Sequence, residues 1–511
     1  MSRQLRKPVL AVIWPFRRWL AAIVAAHSAL GLLCGSFMYL VALSGSVALF
    51  SDEIRWWEQP FFPVMTSLKS GSIDVAVADL SHQYPNLSHK LVLIHLPTSR
   101  EPYTTIAVGE HNADGSKGWY ISADGRLVAP VKHEFSEFIV ALHTSLIMEH
   151  GAGRMLVGII GIAFLSLIMS GILAQTQIFK NAFTLRVGGN IQLQAIDFHN
   201  RIGTWGAPFF LLMALTGSIL GLFFVLLSAP ATTAYRGNIM QAFTELAGPT
   251  SGHGLHTSPE PLSMLLHRII IDEPESELKS AAITNFGTIT ELIRITGVSK
   301  NDGITPMQIV FDGRGRKLFD SRINNGGASQ RFLWFLQPIH YGSYGGLIIK
   351  TVYSLFGWGL CFMTSSGMRI WFARRSNRGV AVPKLERLWD SILWGQAFSL
   401  CMVAIVALFP DIKITSGMTW LITSIGLGAL SIMMRNRERL MTFLMFMGSC
   451  ALFSTVIIHA IKIYRYSSIV CDIEIMDVIL LLIALIMGAY AFIRCFSPLL
   501  ANKTLTCPPK M

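Results

Sequence analysis

AHSALGLLCGSFMYLVALSG runs from Ala26 to Gly45 and is apolar almost throughout, yet its second residue is a histidine. Crossing the roughly 30 Å hydrocarbon core of a bilayer takes about 20 apolar residues in a helix. Nothing charged separates Arg18 from Asp52. That run exceeds the about 7–15 residues of a signal-peptide core, so it reads as a retained membrane helix rather than a cleaved leader. The decisive question is what an ionisable ring does inside it.

Working outward, the apolar runs number eight, near 19–50, 154–175, 202–228, 347–373, 391–410, 416–434, 440–460 and 475–493. Only 14% of the 511 residues are charged, against about 25% in soluble domains, and the mean hydropathy is +0.50. The fold class is therefore a polytopic α-helical membrane protein with about eight transmembrane helices. The net charge of +12 needs no nucleic acid, because cytoplasmic loops of membrane proteins carry excess Lys and Arg. Arg3, Arg6, Lys7, Arg17 and Arg18 place segment 1–18 in the cytoplasm. Alternation then puts loops 176–201 and 374–390 and tail 494–511 on the same side. Lys462 and Arg465 land outside against the rule. The seven cysteines form no C-x-x-C pair and lie mostly in spans, so no disulfide framework is implied.

Two long segments, 51–137 and 229–335, fall outside, and each reads as a small α+β domain. SIDVAVADLSHQYP has helical spacing, followed by the strand-like runs HKLVLIHL, PYTTIAVG and KGWYIS, an ADG turn and RLVAP. PEPLSMLLHRIII is helical in the second segment, followed by SAAITNF, TITELIRITG, PMQIVF, a DGRG turn and RKLFDS. Asp-Gly between strand-like runs is a hairpin signal.

The shared order suggests duplication. AHSALGLLCGSFMYLVALSG aligns with FHNRIGTWGAPFFLLMALTG (198–217): His27 matches His199, Gly31 matches Gly203, and Ser44-Gly45 matches Thr216-Gly217. The span from histidine to closing glycine is 18 residues in both, five helical turns, so both ends share a face. Likewise LHTSLIMEHGAGRMLVGIIGIAFLSLIMSG (142–171) aligns with IHYGSYGGLIIKTVYSLFGWGLCFMTSSG (339–367). There His143 matches His340, and Arg154 matches Lys350, each 17 residues before Gly171 or Gly367. The first four transmembrane helices thus read as a parallel internal repeat. The module 391–493 lacks the pattern and carries one histidine, His459.

With this topology the four histidines sort by depth into an inner pair, His27 and His199, and an outer pair, His143 and His340. A lone histidine near a helix end is ordinarily an interfacial residue, but one inside a membrane helix is costly and usually functional. Two imidazoles facing across a bundle suit bis-axial haem ligation and electron transfer. Gly31 and Gly203, four residues on, offer room for a porphyrin on the same face, or simply small-residue helix packing. Arg154 and Lys350 are placed to neutralise haem propionates. A tetrahedral zinc or copper site needs three or four ligands at one depth, and only His150 offers a third. His82, His89, His95, His111, His133, His253, His256 and His267 fall in the outside segments. VGGN (187–190) is too short for a dinucleotide fingerprint, so an external electron donor is implied, a quinol or a cytoplasmic reductase.

The histidine-bearing helices RRWLAAIVAAHSALGLLCGSFMYLVALSGSVALFSDEI, ALHTSLIMEHGAGRMLVG, DFHNRIGTWGAPFFLLMALTGSI and IHYGSYGGLIIKTVYSLFGWGLCFMTSSGMRIWF resemble the PepSY-associated transmembrane family. The likeness covers about residues 15–376. Members include iron-regulated inner-membrane proteins and siderophore reductases of Gram-negative bacteria. The resemblance implies two periplasmic PepSY-like domains and b-type haem, two per chain, held by His27, His199, His143 and His340. It also implies reduction of a periplasmic ferric siderophore from the inner membrane. Ser28, Thr144 and Ser44 depart from the family pattern without touching these ligands. The rival reading is a non-enzymatic PepSY module that binds or senses in the envelope, regulating a periplasmic peptidase. A transporter ranks last, for want of acidic or polar residues at mid-membrane.

Overall fold

The computed structural model describes residues 7–59, 69, 71–84, 86–98, 103–109, 117–175, 177–183, 191–250, 252, 260–300, 306–321, 328–409, 412–466 and 475–503. In chain order these form α1 (Lys7–Ala48), α2 (Ser51–Glu58), α3 (Ser72–Gln83), β1 (Leu91–His95), β2 (Thr105–Gly109), β3 (Lys117–Ile121) and β4 (Leu127–Pro130). Next come α4 (Glu134–Ser145), α5 (His150–Ala174), α6 (Ile178–Phe183), α7 (Ile191–Gly221), α8 (Phe223–Ala234), α9 (Ile239–Ala247) and α10 (Leu262–Asp272). Strands β5 (Ser276–Thr284), β6 (Leu292–Ser299), β7 (Pro306–Asp312) and β8 (Lys317–Asp320) follow. The chain ends in α11 (Ala328–Tyr341), α12 (Gly346–Asn377), α13 (Pro383–Ala407), α14 (Ser416–Met433), α15 (Arg437–Tyr466) and α16 (Ile475–Lys503). Two units result: a helical one (Met1–Phe61, Glu134–Gly221, Val352–Met511) and a sheet unit (Phe62–His133, Leu222–Thr351).

Among the described residues eight helices are long and apolar enough to cross a membrane: Arg18–Ala48, Gly151–Ala174, Gln192–Gly221, Gly346–Asn377, Pro383–Ala407, Ser416–Met433, Arg437–Tyr464 and Ile475–Cys495. The third differs from the expected 202–228. The polar stretch IQLQAIDFHNR is already helical, and α7 stops at Gly221. The apolar run continues through Phe223–Leu227, so hydropathy alone hides the break. The cause of the close packing there is local: a Cβ on Gly221 would stand 2.7 Å from the Gly158 Cα, and one on Gly161 2.5 Å from the Ser218 hydroxyl. Small residues let α5 and α7 approach this closely. Met38, Phe164, Phe210 and Ala214 fill the core among α1, α5 and α7. In the C-terminal helices Arg437 grips Asp390 at 2.5 and 3.0 Å and Glu386 at 2.9 Å, tying α13 to the start of α15.

The two α+β segments do not build separate sheets. Their strands form one antiparallel sheet of eight in the order β4-β3-β2-β1-β5-β6-β7-β8. The two four-strand meanders meet where β1 pairs with β5, Val92 opposite Ile283 and Ile94 opposite Ala281. The reason is that β1 and β5 would each be an open edge alone, and edges invite pairing. Helices α3 and α10 contribute Ala76, Leu80, Leu265 and Ile269 to a single core with Ile94, Ile106, Ile283 and Ile295. The register shifts by one residue where β3 pairs β4 and where β7 pairs β8, leaving Val128 of β4 and Leu318 of β8 unpaired just after the two Asp-Gly turns. Gly125 holds φ +87°, and a Cβ there would strike the Ser72 carbonyl, so the first turn requires glycine.

Candidate functional site

His27 sits about two turns into the first span and His199 about two turns into α7. The helical unit brings them together, with ring centres 6.4 Å apart and planes crossing at 88°. Each ring is anchored through Nδ1. His199 Nδ1 donates to the Met363 carbonyl at 3.1 Å and the Ser366 hydroxyl at 3.0 Å. His27 Nδ1 donates to the Ser170 hydroxyl at 3.0 Å, whose own proton goes to the Ser166 carbonyl at 2.7 Å. A carbonyl only accepts, so the proton of a neutral His199 ring lies on Nδ1 and Nε2 keeps its lone pair. A hydrogen bond from one ring nitrogen to a carbonyl orients a metal-binding imidazole in this way. One metal ion bonded at about 2.0–2.1 Å to a nitrogen of each ring separates the ring centres by roughly 6.3 Å. The observed centre-to-centre spacing of 6.4 Å is of that size.

His143, on α4, repeats the arrangement. Its Nδ1 donates to the Val41 carbonyl of α1 at 2.9 Å. Burial lowers its pKa from the ordinary imidazole value, and the bond to Val41 opposes that shift; a neutral ring with its lone pair on Nε2 follows.

A Cβ on Gly31 or Gly203 would meet only Leu167 at 3.8 Å or Met363 at 3.6 Å, so neither glycine is closely pressed by a neighbour. The rings instead lie against the closing glycines. A Cβ on Gly171 would stand 3.4 Å from His27 Cε1, one on Gly367 3.3 Å from His199 Cε1, and one on Gly45 2.6 Å from His143 Cε1. Each glycine follows a serine, Ser170, Ser366 or Ser44. In the sequence these glycines are register marks of the repeat. The signal was present, since Gly45 closes the 18-residue span from His27, and Gly171 and Gly367 stand 17 residues after the matched Arg154 and Lys350.

His340 belongs to the sheet unit, where it ends α11, half-buried beside the Tyr341 ring at 6.0 Å. Gly342, Gly345 and Gly346, all at positive φ, let the chain turn from α11 into α12. The matched basic residues differ: Lys350 is buried at 3% exposure, whereas Arg154 is exposed. His133 is buried against the Tyr120 hydroxyl at 3.0 Å, while His82, His95 and His267 are exposed. The side chains of His89 and His150, and residues His111, His253, His256, Cys471 and 187–190, lie outside the described residues. Among the described residues no three His, Cys, Asp or Glu side chains group to hold an ion.

The chain's residues 24–374 match the family model of the PepSY-associated TM region. A curated relative, the uncharacterized protein PA4219 of Pseudomonas aeruginosa, is 28% identical over 291 residues, covering 53% of this chain and 71% of the relative.

Proposed function

The chain belongs to the PepSY-associated TM region family, and on that premise we propose that it is a di-haem electron-transfer protein of the bacterial inner membrane. It passes electrons outward to a ferric siderophore or another ferric chelate in the periplasm. The observation that carries this reading is the His27–His199 pair, 6.4 Å apart with crossed rings and both Nδ1 atoms anchored.

His27 and His199 would hold the inner haem, and His143 and His340 the outer one. Bis-histidine haem supplies one-electron transfer without an open coordination site. The residues present do the rest. Ser170, Ser366, Met363 and Val41 fix the ring tautomers. Gly45, Gly171 and Gly367 admit the rings to the helix backbones. Lys350 and Arg154 offer positive charge toward propionates. The donor is a quinol or a cytoplasmic reductase, and each electron delivered converts one Fe3+ to Fe2+. The softer, less charged ion binds a hard-oxygen chelator more weakly, so iron is released.

The first four spans and the two meanders are read as a parallel repeat, with both termini cytoplasmic and the sheet unit periplasmic. The recurrence of a Ser-Gly pair against His27, His143 and His199 supports that reading. The deciding experiment is a reduced-minus-oxidised spectrum of the purified chain. Soret and α-band shifts are expected; their absence overturns the proposal and leaves the non-enzymatic PepSY binding or sensor module.

A further inference from the structure

Where α15 and α16 meet α2, three buried side chains close on one another. His459 and Trp57 are 0% and 2% exposed, and Asp477 is 5% exposed. His459 Nδ1 lies 2.9 and 3.1 Å from the two Asp477 oxygens. Its Nε2 donates to the Trp57 carbonyl at 2.7 Å. The Trp57 indole N–H donates to Asp477 at 2.9 Å, and its ring lies over the imidazole at 4.4 Å. Both imidazole nitrogens therefore have a partner, Asp477 on one side and the Trp57 carbonyl on the other. The Trp57 carbonyl is one of the last in α2, a group with no partner inside its own helix, and His459 supplies one.

The next residue carries the connection onward. Glu58 is buried and accepts from the backbone N–H groups of Phe135 at 3.0 Å and Ser136 at 2.6 Å. These belong to the first turn of α4, whose amides otherwise lack acceptors. Farther along α4, Phe138, Ile139 and Leu142 pack on Val403 of α13, with Trp420 of α14 against them. His143 follows directly. The C-terminal helices thus pack on the apolar face of α4, α2 supplies its cap, and α1 receives the His143 ring.

We propose that His459 and Asp477 are positioning residues: they clamp the end of α2 so that Glu58 seats α4 and aims His143. This gives the four C-terminal helices a role in the electron path. The aim at iron rests on the di-haem reading; the clamp itself does not.

The test uses the full chain in detergent, with His459→Phe and, as a milder change, Trp57→Phe, which keeps the aromatic ring and backbone carbonyl and removes one donor. Hydrogen exchange of residues 134–145 is expected to rise at least about tenfold in His459→Phe and by less in Trp57→Phe, with α5 and α7 unchanged. In the haem-loaded protein only the outer haem's midpoint potential and spin state should move. Exchange in 134–145 within about twofold of wild type in both variants overturns the clamp. So does equal loss of protection in α5 and α7 with Trp57→Phe. A local rise in exchange with both haem signatures unmoved overturns the aim at His143. A wild-type chain without haem sinks the di-haem reading, and the exchange result still decides the clamp.

Discussion

The rings of His27 and His199 stand 6.4 Å apart and cross at 88°. Held in this crossing, the two imidazoles would leave the orbitals of a bound haem iron close to degenerate, whereas parallel rings would split them, so the ring orientation would set the electronic structure of a haem held by this pair. The oxidised protein is therefore expected to give a strongly anisotropic low-spin electron paramagnetic resonance signal from the inner site. His27→Ala and His199→Ala should each remove that signal and lower haem from two per chain to one. Two haems retained in both variants would reject the pair as ligands.

Gly45 separates the ring-cradling glycines from the ordinary ones. A methyl there would stand 2.6 Å from His143 Cε1, and overpacking of this kind costs about 1–3 kcal/mol. Gly45→Ala should lower the melting temperature and disturb only the outer haem. Gly171→Ala and Gly367→Ala, at 3.4 and 3.3 Å from their rings, should act in the same direction more mildly on the inner one. Gly31→Ala and Gly203→Ala meet nothing closer than 3.6 Å, and alanine favours a helix by up to about 1 kcal/mol. These two should leave stability unchanged or raised. Haem content and thermal melts of the five variants decide the matter.

This contrast marks what sequence could and could not convey. The spans were legible because membrane helices need uninterrupted apolar length. The histidines stood out because an ionisable ring is costly there. Val41 and Met363 act through backbone carbonyls, which leave no trace in residue type. Gly31 and Gly203 matched across the alignment as well as Gly171 and Gly367 did, and only contact distances tell a cradle from a packing glycine. The β1–β5 seam was hidden for a related reason: period-two alternation predicts a strand without saying which strand lies beside it. His459 was visible as an isolated histidine, but its partners Trp57 and Asp477 are 402 and 18 residues away.

Glu58 makes a pH-dependent prediction. Burial pushes its carboxyl from 4.5 up to about 7, and the bonds from Phe135 and Ser136 only partly offset this. The folded state thus holds a proton that the unfolded chain releases near 4.5. The associated stability is fully present below pH 4.5 and is lost as pH rises toward about 7, at most about 3 kcal/mol in all. Melting temperature should fall across that window and level off above it. Glu58→Gln keeps an acceptor for α4 without the titration, so its profile should be flatter. A wild-type slope unaltered in Glu58→Gln would assign the dependence elsewhere.

The seam between the meanders predicts that the sheet behaves as one cooperative body. Ile94 is fully buried, pairs with Ile106 on one side and Ala281 on the other, and packs in the core shared by α3 and α10. Ile94→Ala removes buried methyl groups from that core, a change that costs about 2–5 kcal/mol. Had the meanders been independent domains, only β1–β4 would weaken. With a shared core and a continuous ladder, hydrogen exchange should accelerate in 306–312 of β7 as well as in 105–109 of β2. Faster exchange confined to β2 would show that the halves open separately and that the β1–β5 pairing contributes little to holding them together.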